Sequence, residues 1–205
     1  MLKDIFKINR TLKTVAFALT VTLMHYTAPA QSTGTSTPQT DPDTGRIKPL
    51  TAEKNLFHGL RQMALDVSPE QLGLANIKKN EIYGVILDWN LDKGIVTLVC
   101  YQTGDASMYL SSGGGVIGGG MHENVNLASR YFVEQADRFR DFAVKTEFTP
   151  LPEKDCITFY FLTKKGKYIA GENMNSIRSN ISPWADYFNE ANKVITELRL
   201  LEESP

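Results

Sequence analysis

The sequence predicts an α+β domain: a mainly antiparallel five-stranded sheet with helices packed on it, in the order helix-βββ-helix-ββ-helix. Three observations carry this expectation. Apolar runs at Ile82 to Trp89, Ile95 to Tyr101 and Ala106 to Ser111 are joined by Asn90-Leu91-Asp92-Lys93-Gly94 and Thr103-Gly104-Asp105. Those links have the length and residue types of hairpin turns, so the three runs read as a meander. The first two runs are apolar on both alternating faces, which calls for helices on each side of the sheet. Finally, apolar residues recur at helical spacing before the meander, after it, and again at the C-terminus.

In chain order, the folded domain starts at Thr51. Leu56, Leu60, Met63 and Val67 form the expected stripe of the first helix. Ser68-Pro69-Glu70-Gln71 has the form of an N-cap with proline at the first helical position, opening a short helix that stops near Gly73. After the meander a helix is expected from about Glu123 to Val144. Its stripe is Val125, Ala128, Phe132, Ala136, Phe139 and Ala143, opposite Glu134, Arg138 and Asp141. Thr149-Pro150-Leu151-Pro152 is a stiff connector. Cys156 to Thr163 reads as a fourth strand, Lys164-Lys165-Gly166 as a turn, and Lys167 to Ala170 as a fifth strand. Ser182-Pro183 caps the last helix, whose stripe is Trp184, Phe188, Ala191, Ile195 and Leu198.

The chain of 205 residues divides into three segments. Residues 1–30 read as a signal peptide. Lys3, Lys7, Arg10 and Lys13 make a basic start, Val15 to Met24 a short apolar core, and Ala28-Pro29-Ala30 a small-x-small cleavage site before Gln31. Residues 31–50 are rich in Ser, Thr, Pro, Gly and Asp and read as a disordered linker. Residues 51–205 form the single α+β domain. The expected location is secreted or periplasmic. A hydrophobic content of 42% and a charged content of 22% suit a folded soluble domain. The net charge of −1 gives no reason to expect a nucleic-acid partner. With mean hydropathy −0.23, no transmembrane segment is expected after signal cleavage.

One stretch stands apart. Ser111 to Glu123 reads SSGGGVIGGGMHE, and six of the fifteen glycines fall between Gly113 and Gly120. Glycine inside a regular element costs about 0.5–1 kcal/mol relative to alanine, so this is a loop between strand and helix. Two readings are open. The glycines let strand, helix and a neighbouring backbone approach closely. Alternatively, their amides and the helix dipole receive an anion or small ligand. The candidate ligand-binding residues are Ser111, Ser112, Gly113, Gly114, Gly115, Gly118, Gly119, Gly120, His122 and Glu123.

Established motifs fit this loop poorly. A Walker A loop ends in GK[ST], whereas Gly119-Gly120 is followed by Met121-His122. Gly113-x-Gly115-x-x-Gly118 matches a dinucleotide fingerprint, but so many glycines make chance matches easy, and no βαβ unit is evident. Asn126 stands where the second histidine of HExxH belongs, so no metal and no cofactor are expected. There is no G-x-S-x-G elbow, and a serine triad would have to recruit His122 or His58 with Asp88. Asp88-Trp89 either borders a ligand pocket or starts a turn and fills core. Cys100 and Cys156 lie in mid-strand, either bridged or as two buried thiols.

The segments YGVILDWN (Tyr83 to Asn90), TGDASMYLSSGGGVIGGG (Thr103 to Gly120) and VITELRL (Val194 to Leu200) carry a resemblance. From about Lys54 to Leu200 the chain resembles an uncharacterised family of small bacterial domains with a tryptophan-ended strand, a GDAS turn and a double glycine block. The resemblance implies one domain and points again to the glycine block. It implies no activity, ligand or catalytic residue. In class, the architecture is similar to profilin and roadblock domains, with a different element order.

The leading expectation is an exported, non-catalytic binding or interaction domain whose functional edge is the loop 111–123. Its partner is a small anion or a protein. The alternative is a small serine-type hydrolase using Ser111 or Ser112 with His122.

Overall fold

The computed structural model describes residues 52–203, so the expected leader and linker lie outside the described residues. The domain is mixed α+β, with four helices and one antiparallel sheet. The helices are α1 (Ala52–Asp66), α2 (Glu123–Gln135), α3 (Met174–Arg178) and α4 (Ala185–Glu203). The strands are β1 (Gly84–Leu91), β2 (Gly94–Tyr101), β3 (Ala106–Leu110), β4 (Gly115–Val116), β5 (Val144–Thr146), β6 (Cys156–Thr163) and β7 (Gly166–Asn173). Their order across the sheet is β4-β3-β2-β1-β6-β7-β5.

The count is therefore seven strands rather than five. The two additional strands are the edges, two and three residues long. The expected helix to Val144 is also corrected. α2 ends at Gln135, a 3-10 segment follows at Ala136–Phe142, and Val144 begins β5. The Ser68 segment stays a turn. It keeps the reciprocal bonds of a capping box, with Ser68 N–H donating to Gln71 Oε1 (2.7 Å) and Gln71 N–H to Ser68 Oγ (3.3 Å). Gly73 ends that turn at φ 74°, and no α-helix grows from it. The stretch after β7 holds the short helix α3, capped by Asn173, whose Oδ1 accepts from Asn175 N–H at 2.8 Å.

Both faces of the sheet are covered. On one, α1 sets Phe57, Ala64 and Leu65 against Ile86, Val99, Tyr101, Tyr160 and Leu162. The stripe of α1 is rotated from the expected one, since Leu56 and Met63 are exposed and Phe57 and Arg61 are buried. Tyr101 of β2 and Tyr83, just before β1, close the end of this helix. The Tyr101 hydroxyl donates to Ala64 C=O and the Tyr83 hydroxyl to Val67 C=O, both at 2.9 Å. Ala64 lies in the last turn, where carbonyls lack helical partners. On the opposite face, Trp184, just before α4, and Tyr187 and Phe188 of α4 pack on Phe159, Phe161 and Trp89, with Phe132 of α2 stacked on Tyr187. The expected α4 stripe is buried along its whole length.

Candidate functional site

The glycine block begins where β3 ends. Ser111 N–H donates to Ile95 C=O (2.9 Å), and Ser111 Oγ accepts from Ile95 N–H (2.7 Å). The hydroxyl thus extends the ladder by one bond. A tight turn follows, with Gly113 N–H donating to Leu110 C=O and Leu110 N–H to Gly114 C=O. Gly113, Gly114 and Gly115 have φ of 96°, 84° and 140°, the left-handed region that side chains resist. The turn folds Gly115–Val116 back as β4, against Met108 and Tyr109.

The second glycine triplet packs against three elements. A Cβ at Gly119 would stand 2.5 Å from Leu198 Cδ2 of α4 and 3.1 Å from Val125 Cγ1 of α2. One at Gly120 would stand 2.7 Å from the backbone of Asp105. A side-chain clasp fixes this arrangement. Asn126 Nδ2 donates to Gly120 C=O (3.1 Å) and to Thr103 C=O (3.3 Å), and Ser129 Oγ donates to Asp105 C=O (3.2 Å). Asn126, the residue in place of a second zinc histidine, thus joins the glycine block to the Gly104 turn. Sequence reasoning missed that role, because its partners are backbone carbonyls from a turn 23 residues away.

Several loop amides are engaged within the protein. Gly113 N–H and His122 N–H bond to carbonyls, and Gly118 N–H donates to Ser107 Oγ (3.2 Å). His122 is exposed at the N-cap of α2 and makes no side-chain cap bond. Glu123 follows in the first turn, where a carboxylate suits the dipole. Across a shallow cleft stand Glu197 and Leu200 of α4. An anion arriving there meets two carboxylates, Glu123 and Glu197.

The candidate nucleophiles and base are not brought together. Ser111 lies at the Ile95 end of β3, and Gly120, two residues before His122, packs at the Asp105 end. The length of the strand, roughly 15–20 Å, separates the two ends. Asp88 is engaged elsewhere. Rather than starting a turn, it is wholly buried within β1. Its Oδ2 accepts from Arg61 Nε (2.9 Å) and Nη2 (2.6 Å), and its Oδ1 from Thr97 Oγ1 (2.5 Å). Arg61 also reaches Pro150 C=O (3.4 Å) and lies over the Tyr160 ring. The Tyr160 hydroxyl donates to the same Pro150 carbonyl. Burial pushes that hydroxyl up to about 12, so it donates as a neutral phenol. Trp89 fills core at an edge-on contact with Phe188. Among the described residues, no group of three His, Cys, Asp or Glu stands where it could hold a metal ion.

The two thiols are free. β1 separates their strands, and Cys100 pairs with Val85 whereas Cys156 lies beyond the Trp89–Ile157 pair at the other end. That exceeds the roughly 7 Å between Cα atoms that a bridge allows. Burial pushes the Cys100 thiol up to about 12. Iodoacetamide at neutral pH should therefore spare Cys100 in the folded protein, modify the partly exposed Cys156, and modify both after unfolding. Mass spectrometry of the alkylated peptides checks this, and native labelling of Cys100 would contradict it.

No family model, curated protein or solved structure matches this chain. The functional reading therefore rests on the geometry of the loop.

Proposed function

We propose that this chain is an exported, non-catalytic interaction domain whose binding edge is the loop 111–123, and that the edge meets a protein rather than a small anion. The observation that carries this reading is the exposure of Ile117 and Met121, 67% and 93%, on a loop held at both ends by hydrogen bonds and close packing. Exposed apolar side chains on an ordered edge gain by being covered by a partner. Leu127 of α2 and Leu200 of α4 are exposed on the helices that flank the loop. The anion alternative draws less support, because Gly113, Gly118 and His122 spend their amides internally. The serine-hydrolase alternative draws less support too, because Ser111 and His122 stand toward opposite ends of β3 and Asp88 is engaged by Arg61 and Thr97. Incorporation of a photo-crosslinking amino acid at Met121 in the native host tests the proposal. A discrete protein adduct, missing when the probe sits at exposed Asp137, is the expected result. Identical patterns from the two positions would contradict it.

Export is the other half of the proposal, supported by the basic start, apolar core and Ala28-Pro29-Ala30. The mature N-terminus should be Gln31. Intact mass of the protein from its native host reads this directly, and full-length protein in the cytoplasm would contradict it.

A further inference from the structure

The two ends of the sheet carry different chemistry. At one end, the turn between β6 and β7 meets the C-terminus of α1. Lys79, Lys164, Lys165 and Lys167 line a single cleft there, with Asp66 and Glu70. Lys145 of the edge strand joins them, its Cε 3.1 Å from where a Cβ on Gly166 would stand, and Lys78 precedes Lys79 on the exposed surface. The acids at this end are few and partly engaged. Asp66 pairs with Lys167 (2.7 Å) and Glu70 with Lys164 (3.4 Å). Glu81, beside Lys78, accepts from Gln102, and Glu147 is exposed next to β5. Six lysines against these four carboxylates leave two positive charges in excess, on a chain whose net charge is −1.

An aromatic residue stands at the same end. Thr146 pairs with Lys167, and Phe148 follows two residues later, 81% exposed. The Thr146 hydroxyl accepts from Phe148 N–H (3.0 Å) and donates to Phe148 C=O (2.8 Å), which fixes the turn that carries the ring. Both components suit one kind of surface. Lysine is a compact point charge on a flexible stem and lacks the planar fork that grips one phosphate bidentately. Lysines on separate turns and strand ends around one end of a sheet therefore fit diffuse negative charge spread over a plane. An exposed phenyl ring beside them gains by entering an apolar boundary.

We propose that this lysine-rich end rests on an anionic phospholipid surface, with Phe148 entering the headgroup region. A nucleic acid would instead favour a basic stripe tracking a groove. The docking end is distinct from the loop 111–123 and does not depend on the reading given to that loop.

Vesicle co-sedimentation of the chain from Gln31 onward, which omits the basic and apolar residues 1–30, tests this, using phosphatidylcholine alone and phosphatidylcholine mixed with phosphatidylglycerol. Wild type should bind the anionic vesicles, release as salt is raised, and leave the neutral ones. Lys79→Glu with Lys165→Glu should weaken binding roughly tenfold or more. Lys154→Glu with Arg178→Glu makes the same charge change at the opposite end, where both residues neighbour Asp92, and should bind nearly as wild type. Phe148→Ser should weaken binding with no change in charge. Circular dichroism checks folding, and Lys79→Gln with Lys165→Gln replaces the reversal pair if that pair does not fold. Absence of vesicle binding, equal loss in the two double variants, or no loss in the Lys79 and Lys165 variants overturns the proposal. Binding to single-stranded oligonucleotides or heparin in place of vesicles also overturns it.

Discussion

Asp88→Ala should lower the stability of the domain by about 3–5 kcal/mol, because it leaves the Arg61 guanidinium buried without its anion. The Arg61 side chain is 6% exposed and that of Asp88 0%. Two guanidinium donors and the Thr97 hydroxyl converge on the one carboxylate. Pro150 C=O and the Tyr160 ring remain near Arg61 after the substitution, but neither carries a full negative charge. A typical domain has only about 5–15 kcal/mol to lose. The melting temperature should fall by on the order of 10 °C. Replacing both partners, Arg61→Met with Asp88→Leu, should restore most of the loss, since a well-packed apolar pair avoids the desolvation of two charges. Urea unfolding of the three variants decides it. A single-variant loss below about 1 kcal/mol would place the pair with exposed ion pairs and contradict the account.

The second large effect lies in the glycine block, and it depends on position. Gly115 has φ 140°, and a Cβ there would stand 2.1 Å from Met108 O, a backbone atom that cannot move aside. Left-handed strain of about 1–2 kcal/mol adds to overpacking of about 1–3 kcal/mol, so Gly115→Ala should cost about 2–5 kcal/mol. Gly120→Ala meets the backbone of Asp105 at 2.7 Å and should cost about 1–3 kcal/mol. Gly119→Ala meets the tip of Leu198 at 2.5 Å, a side chain with some freedom to give, so its cost should be smaller. Gly114 and Gly118 also have positive φ but face open space. Asparagine tolerates that conformation, so Gly114→Asn and Gly118→Asn should each cost about 1 kcal/mol or less. Equal losses at all five positions in denaturant titrations would contradict the packing account.

The parts of the fold that were legible in the sequence share a cause. β1, β2 and β6 are long apolar runs and β3 a shorter one, all between clear turns, and one uninterrupted stripe runs from Trp184, just before α4, to Leu198 within it. The edges were hidden for different reasons. β4 is two residues inside a run of glycine, with no alternating pattern to read. The start of β5 reads as helix in the sequence, because Ala136, Phe139 and Ala143 recur at helical intervals of three and four although Ala136–Phe142 is a 3-10 segment. The buried face of α1 departs from its apolar stripe because Arg61 is buried by pairing with Asp88, a reason found on another element. At the candidate site, the block itself was visible from composition. Its clasp was not, since nothing local marks Asn126 as the partner of Thr103 and Gly120.

The central claim is that stability and binding are separated along this loop, with glycines holding it and Ile117 and Met121 presenting it. Thermal melting of the double variant Ile117→Asp with Met121→Asp, beside Gly120→Ala, tests that claim most directly. Substitution of exposed residues away from packed contacts usually changes stability by within about 0.5 kcal/mol. The double variant should therefore melt as wild type does, while Gly120→Ala melts several degrees lower. A fall for the double variant as large as that for Gly120→Ala would show that the tip belongs to the packed core, and would contradict the claim.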